Sequence, residues 1–132
     1  MSLIPERAMK LFTLAEANAV LPGVKPKLKS IRRLYERIEQ MRESARSAAA
    51  ASNFGGGMAG GADYVTTLYN VGKLTTQLHE LGVELKDHTR GLIDFPSQRG
   101  DRVVYLCWQL GEGDSIEWWH EIDAGFAGRM PL

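Results

Sequence analysis

The chain has 132 residues, with 16 basic side chains, 16 acidic side chains and one cysteine. This length predicts a single domain over residues 1–132, since a core of this size buries roughly two-thirds of the unfolded surface. The balanced charge argues against nucleic acids and membranes as partners, and the sequence contains no apolar run of about 18 residues. A single cysteine cannot form an intrachain disulfide, which favours a reducing, cytoplasmic location.

Charge is distributed unevenly along the chain. Residues 1–50 hold ten Lys and Arg against five Asp and Glu, whereas residues 62–132 hold six against eleven. We expect these opposite fields to match within one chain or between subunits. Nucleic-acid binding through the N-terminal cations is a weaker hypothesis, because acidic residues are interspersed among them. The cations are Lys25, Lys27, Lys29, Arg32, Arg33 and Arg37, and the acids are Glu36, Glu39 and Glu43.

The helical part is predicted over residues 13–81 and begins with a capping box. Thr13 and Glu16 have the spacing at which each side chain bonds the other residue's backbone amide. A short helix is expected from Leu14 to about Leu21. Pro22 should interrupt it, because proline lacks an amide donor and disfavours helical angles in the preceding residue. Pro22 and Pro26 then suit the first turn of a new helix.

Two longer helices follow, from Lys27 to about Ala51 and from Tyr64 to about Leu81. Each has apolar residues at three- and four-residue spacing, so we expect an antiparallel hairpin with the two stripes in contact. Between them, the glycine-rich residues 52–62 predict a flexible loop. A phosphate-binding loop would need Lys-Ser or Lys-Thr after the glycines, and Asp63 and Tyr64 come there instead. Gly82 predicts the end of the second helix.

After Gly82 the hydrophobic period changes to two, which indicates a β-meander and tail over residues 83–132. The predicted strands are Val83–Asp87, Leu92–Phe95, Arg102–Gln109 and Ile116–Glu121. We therefore predict an α+β fold, with a helical hairpin and a short N-terminal helix packed on a three- or four-stranded antiparallel sheet. Both faces of the third strand are apolar. The helices should cover one face, and a second subunit is the simplest cover for the other, so we expect a dimer.

His120 is the centre of the most suggestive polar group. Alternation along the last strand puts it on the same face as Trp118. One imidazole with two carboxylates could bind a divalent metal or act as an acid–base pair, although no HExxH, paired His or Cys pair is present. A structural hydrogen bond between His120 and a carboxylate is therefore favoured. The acidic candidates are Asp87, Asp94 and Glu112, and the weak metal candidates are His120, Glu121 and Asp94.

Asp94 lies within an apolar strand, where a carboxylate needs a hydrogen-bond donor. Arg102 or Arg129 could supply one by a bidentate contact. Cys107 lies in the middle of the third strand, so a packed, inert thiol is favoured over a nucleophile. Arg129 is also expected to hold the C-terminal tail in place. The candidate ligand-binding residues are Asp94, Glu112, Trp118, His120 and Arg129.

Several segments together carry a resemblance to a known family. They are Phe12–Asn18, Gly91–Pro96, Val104–Trp108, Trp119–Glu121 and Gly125–Arg129. In this order they resemble the bacterial family of domain of unknown function 2203, and the match covers essentially the whole chain. The resemblance supports the element order, and it implies no activity, substrate or cofactor.

These observations lead to two hypotheses of different classes. The first is a non-enzymatic cytoplasmic module that self-associates as a dimer and binds a partner or small ligand, because apolar surface exceeds what one chain should need. The alternative is a metal-dependent or acid–base enzyme centred on His120 with nearby carboxylates. No catalytic motif decides between them, and the sequence specifies no cofactor.

Overall fold

The computed structural model describes residues 9–51 and 61–132. In this part of the chain two helices are followed by five short strands, so the predicted α+β class is confirmed. The helices are α1 (Leu14–Ala51) and α2 (Gly61–Glu80); the strands are β1 (Glu84–Asp87), β2 (Leu92–Arg99), β3 (Arg102–Gln109), β4 (Trp118–Glu121) and β5 (Met130–Pro131); a 3₁₀ turn covers Phe126–Gly128. Within the described ranges, neither helix combines the length and the apolar character needed to span a bilayer.

The capping box at the start of α1 is present. The Thr13 amide donates to Glu16 Oε1 at 2.8 Å, and the Glu16 amide donates to Thr13 Oγ1 at 3.0 Å. The predicted break at Pro22 was wrong, because α1 runs through both Pro22 and Pro26. A helical proline costs about 3 kcal/mol, whereas each buried aliphatic side chain contributes about 1.5–3 kcal/mol. Burial of the unbroken apolar stripe therefore offsets the free-energy cost of both prolines. The stripe consists of Ala17, Leu21, Val24, Leu28 and Ile31.

The end of α2 follows the predicted glycine stop. Gly82 has a φ of 89°. Its amide donates to the His79 carbonyl at 2.9 Å, and the Val83 amide donates to the Leu78 carbonyl at 3.0 Å. This pair of bonds satisfies the last carbonyls of the helix, and the buried Val83 side chain closes the turn. The chain thus leaves α2 directly into the sheet.

The predicted loop 52–62 lies mostly outside the described residues. Only its last two residues, Gly61 and Ala62, are described, and they belong to the first turn of α2.

The sheet is an antiparallel meander in the order β1-β2-β3-β4-β5. It has one strand more than predicted, because the two residues of β5 pair with β4 at Trp118↔Pro131 and Trp119↔Met130. Two residues are too few to show a hydrophobic period, so no sequence pattern indicated this strand.

One face of the sheet packs on the helices and the other is buried largely by the chain itself. The helix-facing side supplies Ile93, Phe95, Val104, Leu106, Trp108 and Trp119 to the core. The opposite face, which we call the outer face, holds Asp94, Tyr105, Cys107 and His120, all of them buried. Arg129, from the C-terminal segment, contacts Cys107 there. Part of the cover that was predicted to come from a second subunit therefore comes from the same chain.

Candidate functional site

Strand register brings the polar residues of the outer face together. Asp94 on β2 lies opposite Cys107 on β3, and Cys107 lies opposite Trp118 on β4. His120 lies opposite Tyr105, one pair farther along. Because side chains alternate between faces, these residues all project from the same side of the sheet. His120 and Asp94 are two strands apart, so their side chains meet across β3.

Asp94 and His120 form a buried pair. Nε2 of His120 lies 3.1 Å from both carboxylate oxygens of Asp94, and each side chain is only 3% exposed. Nδ1 of His120 lies 2.7 Å from the backbone carbonyl of Glu121. A carbonyl can only accept, so Nδ1 carries a proton and donates it. Nε2 is therefore the ring nitrogen that is left to interact with Asp94.

This arrangement implies a shared proton. A bare Nε2 lone pair facing an ionised carboxylate would place two acceptors in contact. Burial raises the pKa of the Asp94 carboxyl, while the attraction of His120 opposes that increase. Whether the proton resides on the carboxyl or on the ring, the pair is neutral overall. Neutrality is expected at such a site, because an isolated charge is costly to bury.

Cys107 lies beside this pair as a neutral thiol. Its side chain is fully buried. The pKa of Cys107 is raised to about 12, mainly by burial and further by the nearby Asp94 charge. A nucleophilic cysteine needs a lowered pKa and access to a substrate. Although Cys, His and Asp occur together here, the thiol meets neither requirement.

The same three side chains have the geometry of a cation site. One ligand atom each from Asp94, Cys107 and His120 lies within 4.8 Å of the other two. Sulfur, imidazole nitrogen and carboxylate oxygen form a donor set typical of zinc and neighbouring transition metals. Calcium and magnesium prefer oxygen ligands, so this set does not suit them. The donor chemistry therefore fits a borderline-soft divalent ion.

Arg129 and Glu112 close over the sulfur side of the group. The Arg129 guanidinium donates to the two carboxylate oxygens of Glu112 at 3.2 and 2.7 Å, and its Nη1 lies 3.8 Å from Cys107 Sγ. It also lies against the rings of Trp118 and Phe126, at 4.7 and 4.4 Å from their centroids. We call Arg129, Glu112, Trp118 and Phe126 the clasp. It joins the C-terminal segment to the connection between β3 and β4.

Tyr105 and Glu84 cover the other flank. The Tyr105 hydroxyl lies 3.1 Å from both carboxylate oxygens of Glu84, which also pairs with Lys86 at 2.8 Å. Glu84 is the β1 residue opposite Asp94. The Asp94 carboxylate is therefore bordered by Glu84 and the Tyr105 ring on this side and by Cys107 on the other.

The predicted site residues separate into two groups. Asp94 and His120 meet directly, and Glu112, Trp118 and Arg129 form most of the clasp beside them. Glu121 is apart from them, because its carboxylate accepts a bidentate contact from Arg102 at 2.9 and 2.6 Å. Glu121 contributes only its backbone carbonyl to the site.

Two predicted partnerships differ in the structure. Asp94 was expected to pair with Arg102 or Arg129, but those arginines bind Glu121 and Glu112, and His120 is the partner of Asp94. Cys107 was not predicted as a ligand because it was assigned to packing alone. Its position opposite Asp94 is what brings it into the group.

An open groove of about 720 Å³ runs between α1 and α2. It is lined by helical residues alone, including Arg33, Arg37 and Lys73. None of the residues of the Asp94–His120 site or of the clasp lines this groove. The groove and the polar group are therefore separate features of the molecule.

The chain belongs to the family described as "Uncharacterized conserved protein (DUF2203)", whose model matches residues 10–132. The family predicted from the sequence is thereby confirmed, and its description names no activity. No curated protein and no solved structure matches the chain.

Proposed function

We propose that the protein binds a divalent transition-metal ion, best matched by zinc, through Asp94, Cys107 and His120. The observation that carries the proposal is the convergence of three different donor atoms within 4.8 Å of one another on a buried sheet face. Zinc takes sulfur, nitrogen and oxygen ligands at about 2.0–2.3 Å, so three such atoms around one ion need only a small further approach.

The charge balance of the group supports a divalent ion. Zinc bound to a thiolate, a carboxylate and a neutral imidazole has no net charge. The metal-free group is also neutral, with one proton on Cys107 and one shared by Asp94 and His120. Binding would exchange two protons for one dication, so no net charge would be left buried. A metal-bound thiol is deprotonated even when its free pKa is high.

The orientation of His120 also supports the proposal. Histidines that bind metals usually donate their other ring nitrogen to a carbonyl or carboxylate, which fixes the tautomer and the ring plane. The 2.7 Å contact from Nδ1 to the Glu121 carbonyl provides this anchor. Nε2 is thereby directed toward Asp94 and the space beside Cys107.

The alternative of a metal-free acid–base enzyme has less support. Asp94 and His120 are close enough to exchange a proton, but a general base must also reach its substrate. At 3% exposure for each side chain, neither reaches solvent. Three protein ligands leave a fourth tetrahedral position, as in catalytic zinc sites, so metal-dependent chemistry would first require the site to open.

Metal titration tests the proposal directly. Metal-free protein should bind one Co²⁺ and one Zn²⁺ per chain, and cobalt should show a thiolate charge-transfer absorption band. We expect Cys107→Ser to abolish that band, and His120→Asn and Asp94→Asn to weaken binding by about 10-fold or more. His79→Asn is a matched control, because His79 is exposed on α2. The proposal is wrong if the wild-type protein takes up less than one ion per chain at micromolar metal, or if its cobalt spectrum lacks the thiolate band.

We also propose that the protein is bacterial and cytoplasmic and self-associates as a dimer. The observation that favours self-association is the apolar surface of α2, where Val65 and Tyr69 are 66% and 67% exposed and Leu68 is 42% exposed. Charged residues are few on this helix, which is typical of contact surfaces. Light scattering at micromolar concentration measures the mass, and a monomer mass throughout would contradict this part of the proposal.

A further inference from the structure

We infer that the clasp controls entry to the metal site, so that the ion exchanges only when the C-terminal segment lifts from the outer face. This inference rests on the proposed metal binding and names how that same site would be regulated. The clasp consists of Arg129, Glu112, Trp118 and Phe126, as defined above.

Burial is the first support. The side chains of Asp94 and His120 are each 3% exposed and Cys107 is fully buried, so an ion in solution has no direct contact with any ligand. Metal entry therefore requires some group at the edge of the site to move. Proteins open locally at segments that have few stabilising contacts, and the rate of exchange then follows the opening equilibrium.

The position of Arg129 identifies that group. Its guanidinium is the polar group that contacts Cys107 Sγ from the C-terminal segment, at 3.8 Å. Glu112 fixes the guanidinium at two points and the two aromatic rings contact it as well. Glu112 is itself oriented by the Gln109 amide, which donates to its Oε1 at 3.1 Å. The guanidinium thus lies over the sulfur as part of a rigid arrangement.

The segment that carries Arg129 has few other attachments. Its strand β5 is only two residues long, the Leu132 amide adds one bond to the Glu117 carbonyl at 3.0 Å, and the Arg90 guanidinium lies 4.7 Å from the centroid of the Phe126 ring. The segment begins after Gly125, whose φ of 66° allows the chain to turn sharply there. Within the described residues, the contacts of Arg129 with Glu112, Trp118 and Cys107 are the side-chain contacts that hold this segment beside the ligands. Breaking them should shift the segment toward the open state.

The chain offers a matched control for this idea. Arg102 and Glu121 form a second bidentate arginine–glutamate contact between neighbouring strands, and it is half exposed. By strand alternation these two side chains project from the helix-facing side of the sheet, opposite the ligands, so that Glu121 meets the site only through its backbone carbonyl. Arg129→Gln and Arg102→Gln remove the same chemical group. Only the first should alter access to the site. Glu112→Gln tests the clasp while leaving the arginine in place.

Two rate measurements test the inference in the full-length protein. The first follows zinc uptake and release by stopped flow with a chromophoric chelator. The second follows labelling of Cys107 in metal-free protein by a neutral thiol reagent. Loss of a half-buried, charge-assisted pair should increase the open population about 10-fold. We therefore expect both rates to rise about 10-fold in Arg129→Gln and Glu112→Gln, and to stay within about 2-fold of wild type in Arg102→Gln.

The outcomes separate this inference from the proposed function. If zinc binds and the clasp variants exchange it at the wild-type rate, the clasp is not the gate and the metal site stands. If Glu84→Gln accelerates exchange instead, entry is from the Tyr105 flank and the inference is also wrong. If zinc does not bind but the clasp variants label faster, the proposed function is wrong while the clasp still governs access to Cys107. Circular dichroism identifies any variant that fails to fold, and Arg129→Lys, which keeps the charge without the bidentate contact, then replaces Arg129→Gln.

Discussion

Cys107 should be unreactive toward thiol reagents in the native, metal-free protein. Its pKa of about 12 leaves about 1 thiol in 10,000 ionised at pH 8, whereas an ordinary cysteine with a pKa of about 8.5 is roughly one-quarter ionised. The thiolate is the reacting species, so ionisation alone should slow labelling by roughly 2,000-fold. Complete burial of the side chain slows it further.

The assay compares pseudo-first-order labelling rates of native and urea-unfolded protein at pH 8. The chain has one cysteine, so the signal reports on Cys107 alone. The unfolded chain should label at the rate of a model peptide, and the native protein at least about 1,000-fold more slowly. Native labelling within about 10-fold of the unfolded rate would refute the environment described for this thiol. It would also revive the nucleophile that the geometry argues against.

Two further predictions concern the fold and the pH response. Gly91→Ala should lower the free energy of unfolding by about 2 kcal/mol or more, because Gly91 has a φ of 63° and a methyl group would overlap the Leu110 side chain. The control Gly72→Ala lies in an open part of α2 and should raise the free energy of unfolding by about 0.5–1 kcal/mol. Urea unfolding measures both changes. Asp94 binds its proton more tightly in the folded state than in the unfolded state, so its contribution to stability should fall as pH rises from the unfolded value near 3.8 toward the raised folded value. Asp94→Asn should remove this slope in metal-free protein, because the amide has no carboxyl proton to bind or release. An unchanged slope would contradict the assignment.

The parts of the fold that sequence predicted are those in which local pattern and packing agree. The period of three and four identified both long helices, and Gly82 marked the change to the sheet. Pro22 shows where this approach fails. Its local preference is to interrupt a helix, but the buried stripe on both sides of it is worth more than the interruption costs. Such a balance depends on partners that lie far away in the sequence.

Part of the candidate site could have been predicted from the sequence, because a local turn sets the register of β2 and β3. Glycine at the first position is typical of a two-residue hairpin loop, and Gly100 followed by Asp101 fits that pattern. That loop pairs Arg99 with Arg102 and so sets Asp94 opposite Cys107. The register could therefore have suggested Cys107 as a neighbour of Asp94. The next connection spans residues 110–117, which is too long for a turn type to fix the register, so the residue opposite His120 could not be predicted.

The buried Asp94–His120 pair also allows a test of whether it serves stability or function. Removing one member of a buried pair typically costs about 3–5 kcal/mol, whereas replacing both by apolar residues is often neutral or stabilising by about 1–4 kcal/mol. Each side chain here is 3% exposed, so these magnitudes apply without a large reduction for solvent screening. We expect Asp94→Leu alone to destabilise the metal-free protein by about 3 kcal/mol or more, because His120 loses its partner.

The double variant Asp94→Leu/His120→Phe should recover most of that loss. Urea unfolding at pH 7 compares its stability with that of wild type. Stability equal to or above wild type, together with loss of the cobalt spectrum, would mean that the fold does not require the pair. A buried polar pair that the fold can do without is then best explained by what it binds. A double variant that is as unstable as Asp94→Leu alone would instead assign the pair a structural role and weaken the case for a metal.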